Sequence, residues 1–73
     1  MSNYHTLRAW VTAGGLGSVS PTIEEMADAM KVSPGTARNR LEALVEDGML
    51  EKRPGQHRCY EITMKGRRIA TSF

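Results

Sequence analysis

Residues 21–48, PTIEEMADAMKVSPGTARNRLEALVEDG, constrain the fold more than any other stretch because they predict two helices joined by a very short link. The first helix starts at Thr22. With Glu25 three residues later, Thr22 forms a capping box, in which each side chain satisfies a backbone amide at the helix start. We expect this helix to end near residue 30. Its apolar residues recur at helical spacing and form one stripe: Ile23, Met26, Ala27 and Met30.

The second helix of this pair has equally clear ends. Ser33 suits the N-cap, and Pro34 suits the first helical position because proline has no amide to leave unsatisfied there. Gly48 is the expected left-handed stop. Only Lys31-Val32-Ser33 separate the two helices, so they must cross steeply, as in a helix-turn-helix. The predicted buried face consists of Ala37, Leu41, Leu44 and Val45.

A further helix and a loop precede this pair. Residues 3–13 predict a helix whose apolar residues share one face: Leu7, Trp10 and Val11. Glycines then end the helix, and residues 14–20 form a loop with Leu16 and Val19 as its expected anchors. Methionine is a flexible side chain that fills gaps in protein cores. We expect that role for four of the methionines: Met26, Met30, Met49 and Met64.

The pattern changes after Gly48. Residues 49–53 and 58–62 alternate partly with period two around a turn-forming segment, Pro54-Gly55-Gln56-His57, and together they predict a β-hairpin. Thr63 is the predicted cap of a last helix over residues 64–73, with three inward residues: Ile69, Ala70 and Phe73. The expected architecture is α+β, with a three-helix bundle, a hairpin and a short C-terminal helix in a single domain of residues 1–73.

Composition excludes several classes of protein and of site. One cysteine, Cys59, rules out a disulfide framework, and the first ten residues lack an apolar signal core, so we expect a cytoplasmic protein without membrane contact. His5, His57 and Cys59 match no zinc spacing. No motif places a base beside the cysteine, and no phosphate-binding glycine loop occurs. We therefore predict no metal, no cofactor and no enzyme activity.

Positive charge is concentrated in two segments. Residues 31–41 contain Lys31, Arg38 and Arg40 without an acid, and residues 52–73 contain six basic residues against Glu61 alone. Segregated signs of this kind favour one face for an anionic polymer such as nucleic acid. A small protein with ten basic residues also scatters them over its surface for solubility, and charge alone does not separate the two interpretations.

Nearly the whole chain resembles the winged helix-turn-helix DNA-binding domains. VSPGTARNRLEALVEDGMLEKRPG resembles the third helix and wing of GntR-type and DeoR-type regulators, PTIEEMADAM is similar to the second helix of LexA-type domains, and ITMKGRRIA resembles the segment after the wing in MarR-like and PadR-like proteins. The resemblance implies double-stranded DNA as the partner and a bacterial or phage transcription regulator, repressor-like in action. No effector pocket is carried over, because the sequence shows no segment for one.

The resemblance implies that the helix over residues 34–47 enters the major groove. Its N-terminal half must then expose small and hydrogen-bonding side chains. The outward set is Gly35, Thr36, Arg38, Asn39 and Arg40. Arg38 is the first candidate to pair with guanine and Asn39 with adenine, while Ser33 and the end amides suit a phosphate. The alternative is a solvated face on which Arg38 and Arg40 pair with Glu42 or Glu46.

The hairpin tip is the second predicted contact with DNA. It would place four side chains beside the adjacent minor groove or its phosphates: Arg53, Gln56, His57 and Arg58. The alternative is a flexible polar tip. On the last helix, Lys65, Arg67 and Arg68 are either phosphate contacts or a solvated face, and the sequence does not rank these two interpretations.

One such helix reads only about three or four base pairs, which is too few for a unique genomic site. We therefore expect a homodimer or a protein partner, with Trp10, Ile69 and Phe73 as candidate anchors. Two alternative functions remain open. One is a winged-helix adaptor that binds protein, and the other is a DNA architectural or recombination directionality factor.

Overall fold

Four helices and one two-stranded hairpin make up the part of the chain that the structure, a computed structural model, describes: residues 3–55 and 59–72. In chain order the elements are α1 (Asn3–Thr12), α2 (Ile23–Met30), α3 (Pro34–Glu46), β1 (Leu50–Lys52), β2 (Tyr60–Ile62) and α4 (Met64–Ala70). This is the predicted α+β winged helix. The first strand is one residue shorter than predicted at each end. The second begins at Tyr60 instead of residue 58 and ends at residue 62 as predicted. Helix α4 ends at residue 70, before its C-cap Thr71.

The core forms where α1, α2 and α3 pack together and the hairpin and α4 close over them. It is made of Leu7, Trp10, Met26, Ala27, Ala37, Leu41, Leu44, Met49, Leu50, Tyr60 and Ala70. Trp10 is 0% exposed, and its indole N–H donates to the carbonyl of Gly15 at 3.2 Å. The expectation that Trp10 anchors a partner is therefore wrong, because the fold buries the whole side chain.

Two apolar side chains that were expected to pack inward point outward instead. Met64 is 76% exposed at the start of α4, and Val19 is 59% exposed in the loop before α2. The other predicted anchor of that loop, Leu16, does pack against the core. Met64 is the first residue of α4, directly after the N-cap Thr63, and Val19 lies in the loop three residues before the N-cap of α2. Phe73 lies outside the described residues.

Helix α2 begins with the predicted capping box and ends without the usual glycine. The Thr22 amide donates to Glu25 Oε1 at 2.8 Å, and the Glu25 amide donates to Thr22 Oγ1 at 3.1 Å. At the other end Lys31 adopts the left-handed conformation with φ 57°, and the Val32 amide donates to the Ala27 carbonyl at 3.0 Å. Val32 packs against the core, so this turn is stabilised by an apolar contact rather than by glycine.

Helix α3 begins at the predicted residue and ends at Glu46, one residue before the predicted end, with Gly48 as the predicted left-handed stop. Ser33 is the N-cap and Pro34 follows it. At the C-terminal end Gly48 takes φ 77°, and the Met49 amide donates to the Leu44 carbonyl at 2.9 Å. The same left-handed geometry thus ends α2 and α3, and it turns the chain sharply into the next element both times.

The hairpin presents two different faces. Its register pairs Leu50 with Ile62, Glu51 with Glu61, and Lys52 with Tyr60. Because side chains alternate along a strand, Lys52 and Tyr60 share the face toward α3, whereas the two glutamates lie on the outer face. The wing is therefore joined to α3 through its inner face.

Candidate nucleic-acid interface

Helix α3 exposes one stripe of side chains along its length. Gly35, Arg38 and Asn39 are exposed in its N-terminal half, and Glu42 (half-buried) and Glu46 (exposed) continue the same face one and two turns later. The stripe is therefore cationic and polar at its N-terminal end and acidic at its C-terminal end. Only the N-terminal half suits a polyanion.

Two of the predicted outward residues lie at the edges of this stripe. Thr36 and Arg40 are half-buried, so they flank the exposed face rather than form its centre. Arg40 also has an interaction partner of its own within the protein. The structure thus brings three of the predicted residues together on the exposed face: Gly35, Arg38 and Asn39. Thr36 and Arg40 lie at its edges.

The first turn of α3 leaves one backbone amide without an acceptor among the described residues. Ser33 Oγ accepts from the Thr36 amide at 3.3 Å and donates to Thr36 Oγ1 at 3.1 Å, so its hydroxyl serves the helix cap. The Ala37 amide donates to the Ser33 carbonyl at 3.0 Å, and Pro34 has no amide. Among the described residues no acceptor is recorded for the Gly35 amide. That N–H is the first-turn donor that an anion can use.

Among the described residues, no packing contact explains the glycine at position 35. A Cβ built on Gly35 meets no heavy atom of these residues within 4 Å, and its φ is not in the left-handed region. Glycine within a helix costs roughly 0.5–1 kcal/mol relative to alanine. The fold therefore pays that penalty at an exposed position directly beside Arg38 and Asn39.

Glu42 is held by the hairpin rather than by the arginines of its own helix. Glu42 Oε2 accepts a hydrogen bond from the Tyr60 hydroxyl, and Lys52 Nζ lies 3.2 Å from the same oxygen. The Tyr60 hydrogen bond is the largest influence that lowers the pKa of Glu42, followed by Lys52, with a smaller contribution from the charge of Arg38. Burial, with Glu42 as second cause, raises the pKa of Tyr60 well above 10.0.

Sequence reasoning missed this cluster of Glu42, Lys52 and Tyr60. The tyrosine and the glutamate are separated by 18 residues, so no local motif links them. Period-two alternation would have placed Lys52 and Tyr60 on one face of the hairpin once their register was known. The sequence therefore contained a pattern that relates Lys52 to Tyr60, but none that relates either residue to Glu42.

On the wing, one of the four predicted DNA contacts lies in the described part of the chain. Arg53 Nη2 lies 2.9 Å from Glu61 Oε2, and the two side chains are 54% and 43% exposed. This cross-strand pair sits on the outer face, where Glu61 also faces Glu51. The remaining predicted contacts, Gln56, His57 and Arg58, lie outside the described residues.

The basic residues of α4 are largely used by the protein itself. Lys65 Nζ donates to the carbonyl of Asp47 at 2.6 Å, where it caps the end of α3. Arg67 Nη1 donates to the carbonyl of Leu16 at 3.4 Å and ties α4 to the loop before α2. Arg68 is exposed. The sequence left phosphate contacts and a solvated face open for these residues. The structure instead shows Lys65 and Arg67 in intramolecular hydrogen bonds, a role that neither interpretation included.

Neither a cluster of metal ligands nor a membrane-spanning helix is found among the residues that the structure describes. Within residues 3–55 and 59–72, no three potential metal ligands lie together. In the same ranges no helix has the length and apolar character needed to cross a bilayer.

Comparison with known protein families gives a match over most of the chain. A family model described as the LexA DNA binding domain matches residues 6–59. The matched residues run from α1 through both helices of the pair and β1 to the residue before β2. No curated protein and no solved structure matches the chain.

Proposed function

Because the chain belongs to the LexA DNA binding domain family, whose members bind duplex DNA, we propose that it recognises a specific DNA sequence through α3 and represses transcription there. The observation that carries this proposal is the exposed stripe of Gly35, Arg38 and Asn39 at the N-terminal half of α3. These are small and hydrogen-bonding residues, as the major groove requires. The acidic half of the same face lies one to two turns further along α3, toward its C-terminal end.

Each exposed residue in the N-terminal half of the stripe has a distinct proposed role. Arg38 pairs with the O6 and N7 acceptors of guanine, and Asn39 pairs with N6 and N7 of adenine. The Gly35 amide donates to a phosphate oxygen, and its missing side chain lets the backbone approach closely. Ser33 and Thr36 line the same helix start, and Arg40 reaches a phosphate from the edge of the stripe.

The wing extends this contact to the adjacent minor groove or its phosphates. Arg53 is half-exposed, so DNA phosphates compete with Glu61 for its guanidinium. We assign the same role to three residues that the sequence predicts for the hairpin tip: Gln56, His57 and Arg58. Phosphate contacts of this kind fix orientation and carry no sequence information directly.

A single copy reads too few base pairs to mark one genomic site, so we propose that the protein acts as a homodimer or beside a protein partner. With Trp10 buried, Ile69 on the half-buried side of α4 and Phe73 remain as candidate anchors. We place this activity in the cytoplasm of a bacterial cell, where a regulator meets its promoter.

Selection of bound fragments from a random duplex pool tests the proposal most directly, because it identifies the partner and reads the site together. We then expect Arg38→Ala to weaken binding to the selected site by roughly 5- to 150-fold, the equivalent of about 1–3 kcal/mol for a bidentate base contact. Arg68→Ala is the matched control, because it removes an exposed arginine outside the stripe. Equal losses of DNA affinity in both variants would show that the arginines attract DNA by charge alone and that α3 does not recognise the base sequence.

The same material separates the alternative functions. A protein adaptor would be favoured if no duplex is enriched and if the residual retention of DNA by the protein does not change with salt concentration. Specific DNA binding releases counterions and therefore weakens as salt rises. Enrichment of recombination sites in place of promoters would favour a directionality factor. A homogeneous promoter-like site supports the regulator.

A further inference from the structure

The cluster of Glu42, Lys52 and Tyr60 lies beside the residue that is proposed to read DNA. We propose that Tyr60 and Lys52 are positioning residues that hold the Glu42 carboxylate toward the hairpin and thereby leave the Arg38 guanidinium available to DNA. This inference rests on the proposed function, since it assigns the control of Arg38 at that same site. None of the three cluster residues is required to touch DNA.

Helix geometry creates the problem that the cluster solves. Arg38 and Glu42 are four residues apart on one exposed stripe, so their side chains lie on neighbouring turns and attract each other. The Arg38 charge does reach Glu42, since it contributes to the lowered pKa of that carboxyl. An arginine that closes this ion pair must break it again to contact a base.

The hairpin competes for the same carboxylate with two donors. The Tyr60 hydroxyl donates to Glu42 Oε2, and Lys52 Nζ lies 3.2 Å from that oxygen. Tyr60 is only 1% exposed, so its ring is fixed by the core and cannot follow the carboxylate outward. Lys52 Nζ also lies 5.9 Å from the centre of the Tyr60 ring, so the two donors to Glu42 are close to each other.

This arrangement gives Glu42 a role that differs from ordinary stabilisation. A merely structural tie between α3 and the hairpin would be lost equally when either partner is changed. A carboxylate that the hairpin holds away from Arg38 behaves differently. Removing the hairpin donor should then weaken DNA binding only while residue 42 carries a negative charge that can pair with Arg38. The two cases predict opposite results for a double variant.

Tyr60→Phe, Glu42→Gln and the double variant test this inference on the selected duplex. We expect Tyr60→Phe to weaken DNA binding about two- to fivefold, the range that a surface ion pair imposes when it must be broken. Adding Glu42→Gln to Tyr60→Phe should restore the affinity. Glu46→Gln is the matched control, since it neutralises another acid on α3 and should leave the loss in place.

A background of Arg38→Ala distinguishes the inference from the function on which it rests. There we expect Tyr60→Phe to have no effect on affinity. Suppose that Arg38→Ala weakens DNA binding. If Tyr60→Phe then leaves the affinity unchanged, or if the affinity lost in Tyr60→Phe is not restored by Glu42→Gln, the inference is overturned and the proposed function stands. If Arg38→Ala binds as the parent does, both are overturned.

Folding of each variant is followed by circular dichroism and thermal unfolding. Lys52→Gln provides a second route if Tyr60→Phe does not fold, because Lys52 is exposed. A loss of affinity in Lys52→Gln that Glu42→Gln cancels supports the inference. A loss that Glu42→Gln leaves unchanged belongs to Lys52 itself and overturns it.

Discussion

A Cβ built on Gly66 would lie 2.3 Å from the carbonyl oxygen of Met49, which is far inside van der Waals contact. Helix α4 therefore rests directly on the backbone that leads into β1. We expect Gly66→Ala to lower the free energy of unfolding by about 1–3 kcal/mol, because backbone atoms must shift to admit the methyl group. Chemical denaturation measures the loss, and an unchanged midpoint would contradict this close approach.

Gly35→Ala is the opposite case, because the space around that position is open. We expect the free energy of unfolding to stay level or rise by up to about 1 kcal/mol, since alanine favours the helix. DNA affinity should fall nevertheless, because the added methyl group separates the Gly35 amide from a phosphate. Denaturation and DNA titration of the same preparation check both parts. Full affinity in the variant would remove Gly35 from the proposed interface.

Much of the fold was predictable because its helix ends are coded locally. The Thr22 capping box, the Ser33-Pro34 start and the Gly48 stop all occur where the sequence placed them. Each depends on residues within one turn of chain, and the hydrogen bonds that satisfy the end amides have few alternatives. The stop at Lys31 was not predictable from residue type, because a left-handed lysine is held there by the packing of Val32.

The candidate site was predictable in part for the same reason. Burial of Ala37, Leu41 and Leu44 fixes by helical periodicity which residues of α3 face outward. Periodicity does not report how the hairpin packs on the helix, so the tie from Tyr60 to Glu42 was missed. It also did not report that Lys65 and Arg67 donate to carbonyls of distant segments.

Lys31→Gly should stabilise the protein by about 0.5–1 kcal/mol. A left-handed conformation costs an L-residue roughly 1–2 kcal/mol, and glycine avoids most of that cost while losing some in chain entropy. Thermal unfolding measures the gain. Lys31→Ala is the control, because it removes the same charge and keeps the strained backbone. A similar gain in both variants would assign the effect to charge and not to φ.

Stability should depend on pH through Glu42. Its pKa in the folded protein lies below the ordinary value of 4.5, chiefly because Tyr60 donates to the carboxylate. The folded state therefore binds this proton less readily than the unfolded state, so its stabilisation is complete above about pH 4.5 and is lost as pH falls through the lowered pKa. Denaturation between pH 3 and 6, within the usual range for carboxyl titration, measures this slope.

Glu42→Gln should flatten that acid dependence, since glutamine does not titrate. Glu24→Gln serves as the control because Glu24 is exposed at the start of α2 and lies outside the cluster. We expect the control to follow the parent protein. Identical slopes for the parent and Glu42→Gln would show that the hairpin contributes nothing through this carboxylate.

The separation of buried and exposed positions on α3 affects how readily mutation can alter the DNA sequence that this protein prefers. Side chains at 35, 38 and 39 do not belong to the core, so a randomised library at these three codons should retain folded members at high frequency. New DNA-sequence preferences are then reachable by substitution alone, without compensating changes elsewhere in the chain.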